Sequence, residues 1–174
     1  CQAQLETAEE NGIPVVVLDS GVVTGTVDSV CSTDNKAAGA DAAKKLAEAV
    51  GSSGEIAVMA HIESSESSQD RVKGFTDELT ANYPDIKIVN LSYENEETPV
   101  REMAAKVLED NPNLKGYFCT NQVTADDVLE ALKEAEREEI AVVGFDAGKT
   151  QKEAIKDGRE AGVIAQNPYG MGYA

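Results

Sequence analysis

The chain has 174 residues, of which 41% are hydrophobic and 27% are charged, and both shares are ordinary for a soluble globular protein. Its 15 Lys and Arg residues against 32 Asp and Glu residues give a formal net charge of −17. That charge argues against nucleic acid or an anionic membrane surface as a partner. No apolar stretch approaches the roughly 18 residues of a membrane-spanning helix, so the sequence predicts none.

Strand-like and helix-like segments alternate along almost the whole chain. A first helix is predicted to end at Asn11, because Gly12 and Pro14 follow it. Seven short runs are strand candidates: Pro14–Asp19, Ser29–Thr33, Glu55–Ala60, Lys87–Ser92, Gly116–Thr120, Ile140–Phe145 and Gly162–Ala165. Most are continuously apolar, as expected of strands covered on both faces. The alternation predicts an α/β fold, a Rossmann-like open parallel sheet with helices on both faces.

The segments between the strands have the apolar spacing of amphipathic helices. One example follows the i, i+3, i+4, i+7, i+8 pattern with Val100, Met103, Ala104, Val107 and Leu108. Capping-box patterns predict helix starts at Ser67, Thr124 and Thr150, each followed three residues later by an acidic residue. Gly39 and the alanines between 37 and 49 predict a small-residue face that packs closely on the sheet.

Four of the apolar runs end at a polar side chain that can form several hydrogen bonds: Asp19, Asn121, Asp146 and Gln166. If the runs are parallel strands, these side chains lie along the carboxyl edge of an open α/β sheet, where such sheets bind ligands. Carboxylates and amides suit a neutral ligand that carries many hydroxyl groups. The pattern needs neither a metal nor a cofactor, and none is expected.

Two features resemble enzyme sites but lack residues that those sites require. The segment Gly144–Thr150 resembles a phosphate-binding loop, yet three residues separate its glycines where that loop has four. The single histidine and three scattered cysteines give little support to a zinc site or a Ser-His-Asp triad. The sequence therefore predicts a protein that is not an enzyme.

A histidine and a group of three acidic residues are interpreted without a direct role in ligand binding. His61 follows the strand candidate Glu55–Ala60 and is interpreted as a loop residue at the rim of the ligand cleft, with ligand contact as the alternative. Glu94, Glu96 and Glu97 have no basic partner nearby in sequence. They are interpreted as a solvated helix start, where acidic residues favour the helix dipole.

Eight short motifs occur in a fixed order with compatible spacing from about Gly12 to Tyr173. They are Gly12-Ile-Pro-Val-Val-Val-Leu-Asp19, Thr33-Asp-Asn35 with Ala38-Gly39, Ser68-Gln-Asp-Arg71-Val-Lys-Gly74-Phe75, Asn111-Pro112, Asn121, Val143-Gly-Phe-Asp146, Ala154-Ile-Lys-Asp-Gly158 and Ile164-Ala-Gln-Asn-Pro168. This series resembles the ribose-binding type of periplasmic solute-binding proteins, the receptors of sugar ABC importers.

The resemblance implies a fold of two Rossmann-like lobes joined by crossing strands. Residues 34–165 would form one whole carboxy-terminal lobe of the type I periplasmic binding protein fold. Residues 1–33 would be a fragment of the amino-terminal lobe up to the hinge, and residues 166–174 the hinge return and the start of a further segment of that lobe. A chain with one lobe largely absent is expected to be prone to non-native self-pairing.

The same resemblance implies a function and a set of site residues. The function is an extracytoplasmic receptor, periplasmic or anchored at the cell surface, that binds a monosaccharide between its lobes and delivers it to an ABC permease. The implied ligand-binding residues are Asp19, Thr33, Arg71, Asn121, Phe145, Asp146 and Gln166. Arg71 would reach sugar hydroxyls from a helix start, Phe145 would stack on the sugar, and Asp146 would bind two hydroxyls. Gln166 and Thr33 would lie at the hinge.

Two other classes remain as alternatives. The first is the effector domain of a LacI-type transcriptional repressor, which shares the fold and would carry a DNA-binding headpiece upstream of this chain. The second is a small α/β enzyme of flavodoxin-like or phosphate-binding type. The enzyme is disfavoured because no nucleophile–base pair is apparent and the phosphate loop fails.

Overall fold

A computed structural model describes residues 2–21 and 27–173, and the chain divides into two compact units. The smaller unit comprises Cys1–Asp34 and Gln166–Ala174. It contains helix α1 (Gln2–Glu10), strands β1 (Val16–Leu18) and β2 (Ser29–Cys31), and helix α7 (Pro168–Tyr173). Strands β1 and β2 form a two-stranded parallel sheet. Within the described residues, no helix combines the length and the apolar character that crossing a membrane requires.

The larger unit, Asn35–Ala165, is a five-stranded parallel sheet with helices between the strands. Its elements in chain order are α2 (Asn35–Val50), β3 (Gly54–Ala60), α3 (Glu66–Asn82), β4 (Ile86–Tyr93), α4 (Val100–Asp110), β5 (Leu114–Cys119), α5 (Gln122–Glu134), β6 (Ala141–Phe145), α6 (Lys149–Asp157) and β7 (Gly162–Ile164). The strand order is β4-β3-β5-β6-β7, with every neighbouring pair parallel. The predicted α/β fold with a parallel sheet is confirmed.

Side chains of each central strand alternate between two cores. In β3, Ile56 and Val58 pack with helices α2 and α3, whereas Ala57 and Met59 pack with α4 and α5. Because both faces of the sheet are covered, every one of these residues is buried, which explains the continuously apolar strand sequences.

The N-caps of three helices lie two to three residues before the predicted cap positions Ser67, Thr124 and Thr150. Ser65 caps α3 and accepts a bond from the backbone N–H of Ser68. Asn121 caps α5, with its Oδ1 accepting from the Thr124 backbone N–H at 2.9 Å, and Gly148 precedes α6. The predictions were wrong because residues nearer the preceding strands already cap these helices, which places Thr124 at the third helical position of its box.

Gly39 and Gly74 allow helices α2 and α3 to approach with their backbones almost in contact. A Cβ atom at Gly39 would lie 2.2 Å from the carbonyl oxygen of Arg71, and one at Gly74 would lie 2.0 Å from that of Lys36. The prediction that Gly39 packs on the sheet was therefore wrong, since it packs on a neighbouring helix. The buried alanines of α2 do line the core on that side of the sheet.

A buried carboxyl group, that of Glu160, lies at the entrance to β7. Glu160 is 3% exposed, and its Oε1 accepts a hydrogen bond from Gln151 Nε2 at 3.1 Å. Burial raises the pKa of Glu160 from 4.5 to about 7. The folded state therefore holds this proton more tightly than the unfolded state does.

Glu160 is expected to make the free energy of unfolding decrease as the pH rises from about 4.5 through 7. The contribution of protonated Glu160 is fully present below pH 4.5 and is lost above its folded pKa of about 7. Glu160→Gln should remove this dependence and make the protein about 2 to 3 kcal/mol more stable than wild type at pH 8. Urea unfolding at pH 5 and pH 8 measures both values, with exposed Glu153→Gln as the control. A variant less stable than wild type at pH 8 would contradict the assignment.

Candidate ligand-binding site

The carboxyl edge of the five-stranded sheet has a topological switch point between β3 and β5. After β3 the chain forms β4 on one side of β3, and it then crosses to form β5 on the other side of β3. In open α/β sheets the loops on either side of such a point diverge, and ligands bind in the crevice between them. His61 follows β3 and Thr120 follows β5, and the His61 backbone N–H donates to Thr120 Oγ1 at 2.9 Å.

Arg71 lies beside this crevice with its guanidinium held by three neighbours. The residue is 5% exposed. Its Nε donates to Asn35 Oδ1 at 2.8 Å, and its Nη1 donates to the Thr120 carbonyl oxygen at 2.7 Å. Its Cζ lies 3.7 Å from the centroid of the Phe145 ring, which is within cation–π range. A buried charge needs such partners, and together they hold the guanidinium in one orientation.

Three separate elements converge on Arg71. Asn35 is the first residue of α2, Thr120 directly follows β5, and Phe145 is the last residue of β6. The close contact of α2 with α3 brings Asn35 within reach of Arg71. Sequence reasoning missed Asn35 and Thr120 as supports, although Asn35 belongs to the quoted motif Thr33-Asp-Asn35 and Thr120 precedes the predicted site residue Asn121.

Phe145 and Asn121 have structural partners that bear on their predicted roles. Phe145 is fully buried, and Arg71 lies over its ring, so the ring supports the guanidinium. Stacking of Phe145 on a sugar stays a prediction. Asn121 Oδ1 is engaged with the Thr124 N–H and hydroxyl. Its Nδ2 donates to none of the described residues, which leaves two N–H donors for a ligand.

Asp146 extends from the end of β6 in a strained backbone conformation. Its φ is 78° and that of Ala147 is 51°, in the left-handed region that residues other than glycine adopt at a cost of about 1 kcal/mol or more. The Asp146 N–H donates to the Ile164 carbonyl oxygen at 2.9 Å, which holds this turn against β7. Strain of this kind concentrates at ligand-binding positions.

The smaller unit contains the other three predicted site residues. Thr33 Oγ1 donates to Gln166 Oε1 at 2.7 Å, so the structure brings these two together. Asp19 is exposed, has a φ of 74° and donates its N–H to the Cys31 carbonyl oxygen at 3.0 Å. Asp19 thus repeats the backbone geometry of Asp146 at the end of another strand.

Glu94 is not the solvated helix start that the sequence suggested. Its Oε2 lies 2.6 Å from His61 Nδ1, and helix α4 begins only at Val100. This partner is 33 residues away in sequence, so a search for nearby basic residues could not find it. The available signal was that His61 directly follows one strand candidate and Glu94 lies two residues after another.

The chemistry of the carboxyl edge suits a polar, uncharged ligand. Arg71 and Asp146 supply one positive and one negative group, and Asn121 supplies an amide. Across residues 2–21 and 27–173, no three His, Cys, Asp or Glu side chains cluster in a way that could hold a metal ion. The arrangement can therefore donate and accept hydrogen bonds with several hydroxyl groups at once.

Comparison with known proteins identifies a family and relatives of similar sequence. A family model described as periplasmic binding protein domain matches residues 1–174. The ribose import binding protein of Bacillus subtilis is 27% identical over 167 residues, which cover 94% of this chain and 53% of that protein. The D-apiose import binding protein of Actinobacillus succinogenes is 30% identical over 166 residues, again covering 94% and 53%. The chain thus spans about half the length of these relatives.

A solved structure is also similar to this chain over almost its whole length. The ABC transporter solute-binding protein of Agrobacterium vitis with bound D-fucose superposes with a TM-score of 0.90 at 35% identity, covering 97% of this chain and 59% of that one. These relatives are binding proteins. By its full-length family match, its α/β fold and these relatives, the chain belongs to the periplasmic binding protein domain family.

Proposed function

We propose that this chain is part of a solute-binding receptor and that the carboxyl edge of its larger unit forms one wall of a monosaccharide site. Arg71, Asn121 and Asp146 would bind the sugar hydroxyls. Asp19, Thr33 and Gln166 would act from the smaller unit. The receptor would deliver its sugar to an ABC permease and would work outside the cytoplasm, in the periplasm or anchored at the cell surface.

The observation that carries the proposal is the fixed guanidinium of Arg71 at the switch point. Asn35, Thr120 and Phe145 hold it in position before any ligand arrives. A sugar therefore does not have to order this side chain, and the saving in side-chain entropy favours binding. Hydrogen bonds from a charged donor to neutral hydroxyls are also stronger than those between neutral groups.

The receptor is favoured over the two other classes. The relatives are import binding proteins, which favours transport over the LacI-type effector domain. The edge offers hydrogen-bonding groups that suit a sugar. The activity that we propose is sugar binding without chemical turnover, which distinguishes the receptor from a small α/β enzyme. When this chain is produced by itself, the exposed apolar side chains Val16, Leu18 and Val30 on β1 and β2 support self-pairing of that small sheet.

The proposal is tested by titrating the complete gene product with monosaccharides in a calorimeter. D-ribose, D-apiose, D-allose, D-arabinose and D-fucose form the first panel, because they are named among the relatives. At least one sugar should bind with a dissociation constant of about 1 μM or lower, near −8 kcal/mol. Chromatography and mass spectrometry should then recover that sugar unchanged. A hydrolysed or phosphorylated product would indicate an enzyme.

A further inference from the structure

The pair formed by His61 and Glu94 lies at the switch point and has no role in the site as described so far. We propose that His61 is a direct sugar contact, oriented by Glu94, and that it contributes to the choice of sugar. This inference rests on the proposed function, since it assigns a further residue to the same ligand site.

The backbone of His61 is anchored to the groups that hold Arg71. Its N–H donates to Thr120 Oγ1 at 2.9 Å, and its carbonyl oxygen accepts from Ser68 Oγ at 3.3 Å. Ser68 and Thr120 are both buried, and the Thr120 carbonyl oxygen accepts from Arg71 at 2.7 Å. His61 is therefore fixed relative to the guanidinium through one intervening residue.

The side chain of His61 is fixed as well. The 2.6 Å contact joins its Nδ1 to Glu94 Oε2, with side-chain exposures of 38% for His61 and 29% for Glu94. The backbone N–H of Glu94 donates to the Ala60 carbonyl oxygen at 2.8 Å, so both ends of the pair are held by the end of β3. An ordinary surface ion pair has neither anchored backbones nor a place at a ligand crevice.

The contact with Glu94 determines which hydrogen-bonding groups His61 can offer. An ionised carboxylate only accepts, so the proton lies on Nδ1 and the neutral ring presents a lone pair at Nε2. Nε2 has no hydrogen-bond partner among the residues that the structure describes. It can accept a hydrogen bond from a sugar hydroxyl. Carboxylates orient histidines in this way where the other ring nitrogen binds a metal ion, and the same contact fixes the direction of Nε2 here.

A fixed acceptor of this kind discriminates between sugars. A site that is built to bond one hydroxyl rejects analogues that lack it, because the protein group is left without a partner. Loss of the bond to His61 should lower affinity by about tenfold or more. Wild type should consequently bind the mono-deoxy analogue that lacks the hydroxyl bonded by His61 about tenfold or more weakly than the sugar itself.

Calorimetry on the complete gene product tests the proposal with the tightest-binding sugar of the panel and its mono-deoxy analogues. His61→Ala should lose about tenfold or more in affinity. It should also lose the discrimination against one mono-deoxy analogue and keep the discrimination that wild type shows against the others. Glu94→Ala should lose less sugar affinity than His61→Ala. In the double variant it should add little to the loss caused by His61→Ala, because Glu94 acts through the histidine. Glu94→Gln retains an acceptor and should recover most of the affinity, and exposed Glu96→Ala is the matched control.

A spectroscopic readout separates contact from a merely structural role. In ¹⁵N-histidine-labelled protein, the His61 signals are identified by their loss in His61→Gln. They should show the proton on Nδ1, and the Nε2 signal should shift when sugar is added. Thermal midpoints of all variants should stay within about 2 °C of wild type, as expected for a half-exposed pair.

Two results would overturn the inference, and they are distinguishable. If wild type binds sugar and His61→Ala binds it equally well with the same preference among analogues, His61 is not a contact. If wild type binds no sugar of the panel, the proposed function itself fails and the role of His61 as a sugar contact fails with it.

Discussion

Arg71→Ala is expected to lower sugar affinity by about a hundredfold and to destabilise the protein by about 3 kcal/mol. The substitution leaves Asn35 Oδ1 and the Thr120 carbonyl oxygen without their donor and uncovers the Phe145 ring. Buried polar groups that lose a partner incur a large part of their desolvation cost. Calorimetry measures the first effect and urea unfolding the second.

Two further variants make the Arg71 prediction specific. Arg71→Met keeps most of the side-chain volume but donates no hydrogen bond, so it should recover part of the stability and none of the affinity. Arg101→Ala removes an exposed arginine that pairs with Glu134 at the surface and should change stability by less than about 1 kcal/mol. Wild-type affinity in Arg71→Met would mean that the guanidinium does not bind the ligand.

Gly39→Ala or Gly74→Ala is expected to destabilise the protein by about 3 kcal/mol or more. Each new methyl group would overlap a carbonyl oxygen of the facing helix, and backbone atoms cannot move aside without separating α2 from α3. The gain in helix propensity, about 1 kcal/mol, is too small to compensate. Urea unfolding measures the loss, and sugar affinity should fall with it because Asn35 moves away from Arg71.

Gly172→Ala is the matched control for these two substitutions. Gly172 lies in helix α7, and nothing lies within 4 Å of the position that its Cβ would occupy. Alanine should therefore be neutral or slightly stabilising there. If Gly39→Ala had as little effect on stability as Gly172→Ala, helices α2 and α3 would not be in the close contact described above.

The sequence predicted the strands and the fold well because both depend on local apolar patterns. Every strand end lies within two residues of its predicted position, and the parallel arrangement follows from the alternation of strands with helices. The carboxyl-edge position of Asn121 and Asp146 was also accessible, since each directly follows an apolar run.

What the sequence could not predict depends on contacts between distant residues. Glu94 and His61 are 33 positions apart, and Arg71 and Thr120 are 49 apart. Neither pair is visible until the strand order places β4, β3 and β5 side by side. The partner of Gly39 was mistaken for the same reason, because a small-residue face does not show which element it contacts. The left-handed backbone of Asp146 has no sequence signal either, as glycine would be the residue expected there.

Titration of the complete gene product and its Asp146→Ala variant with the panel's tightest-binding sugar tests the account most directly. Asp146 is exposed at the carboxyl edge and its strained backbone is held by β7, so the substitution should leave the fold intact. We expect wild type to bind at about 1 μM or tighter and the variant to lose at least a hundredfold, near 3 kcal/mol. Equal affinity of the two proteins, with both folded, would show that the sugar does not bind at this edge.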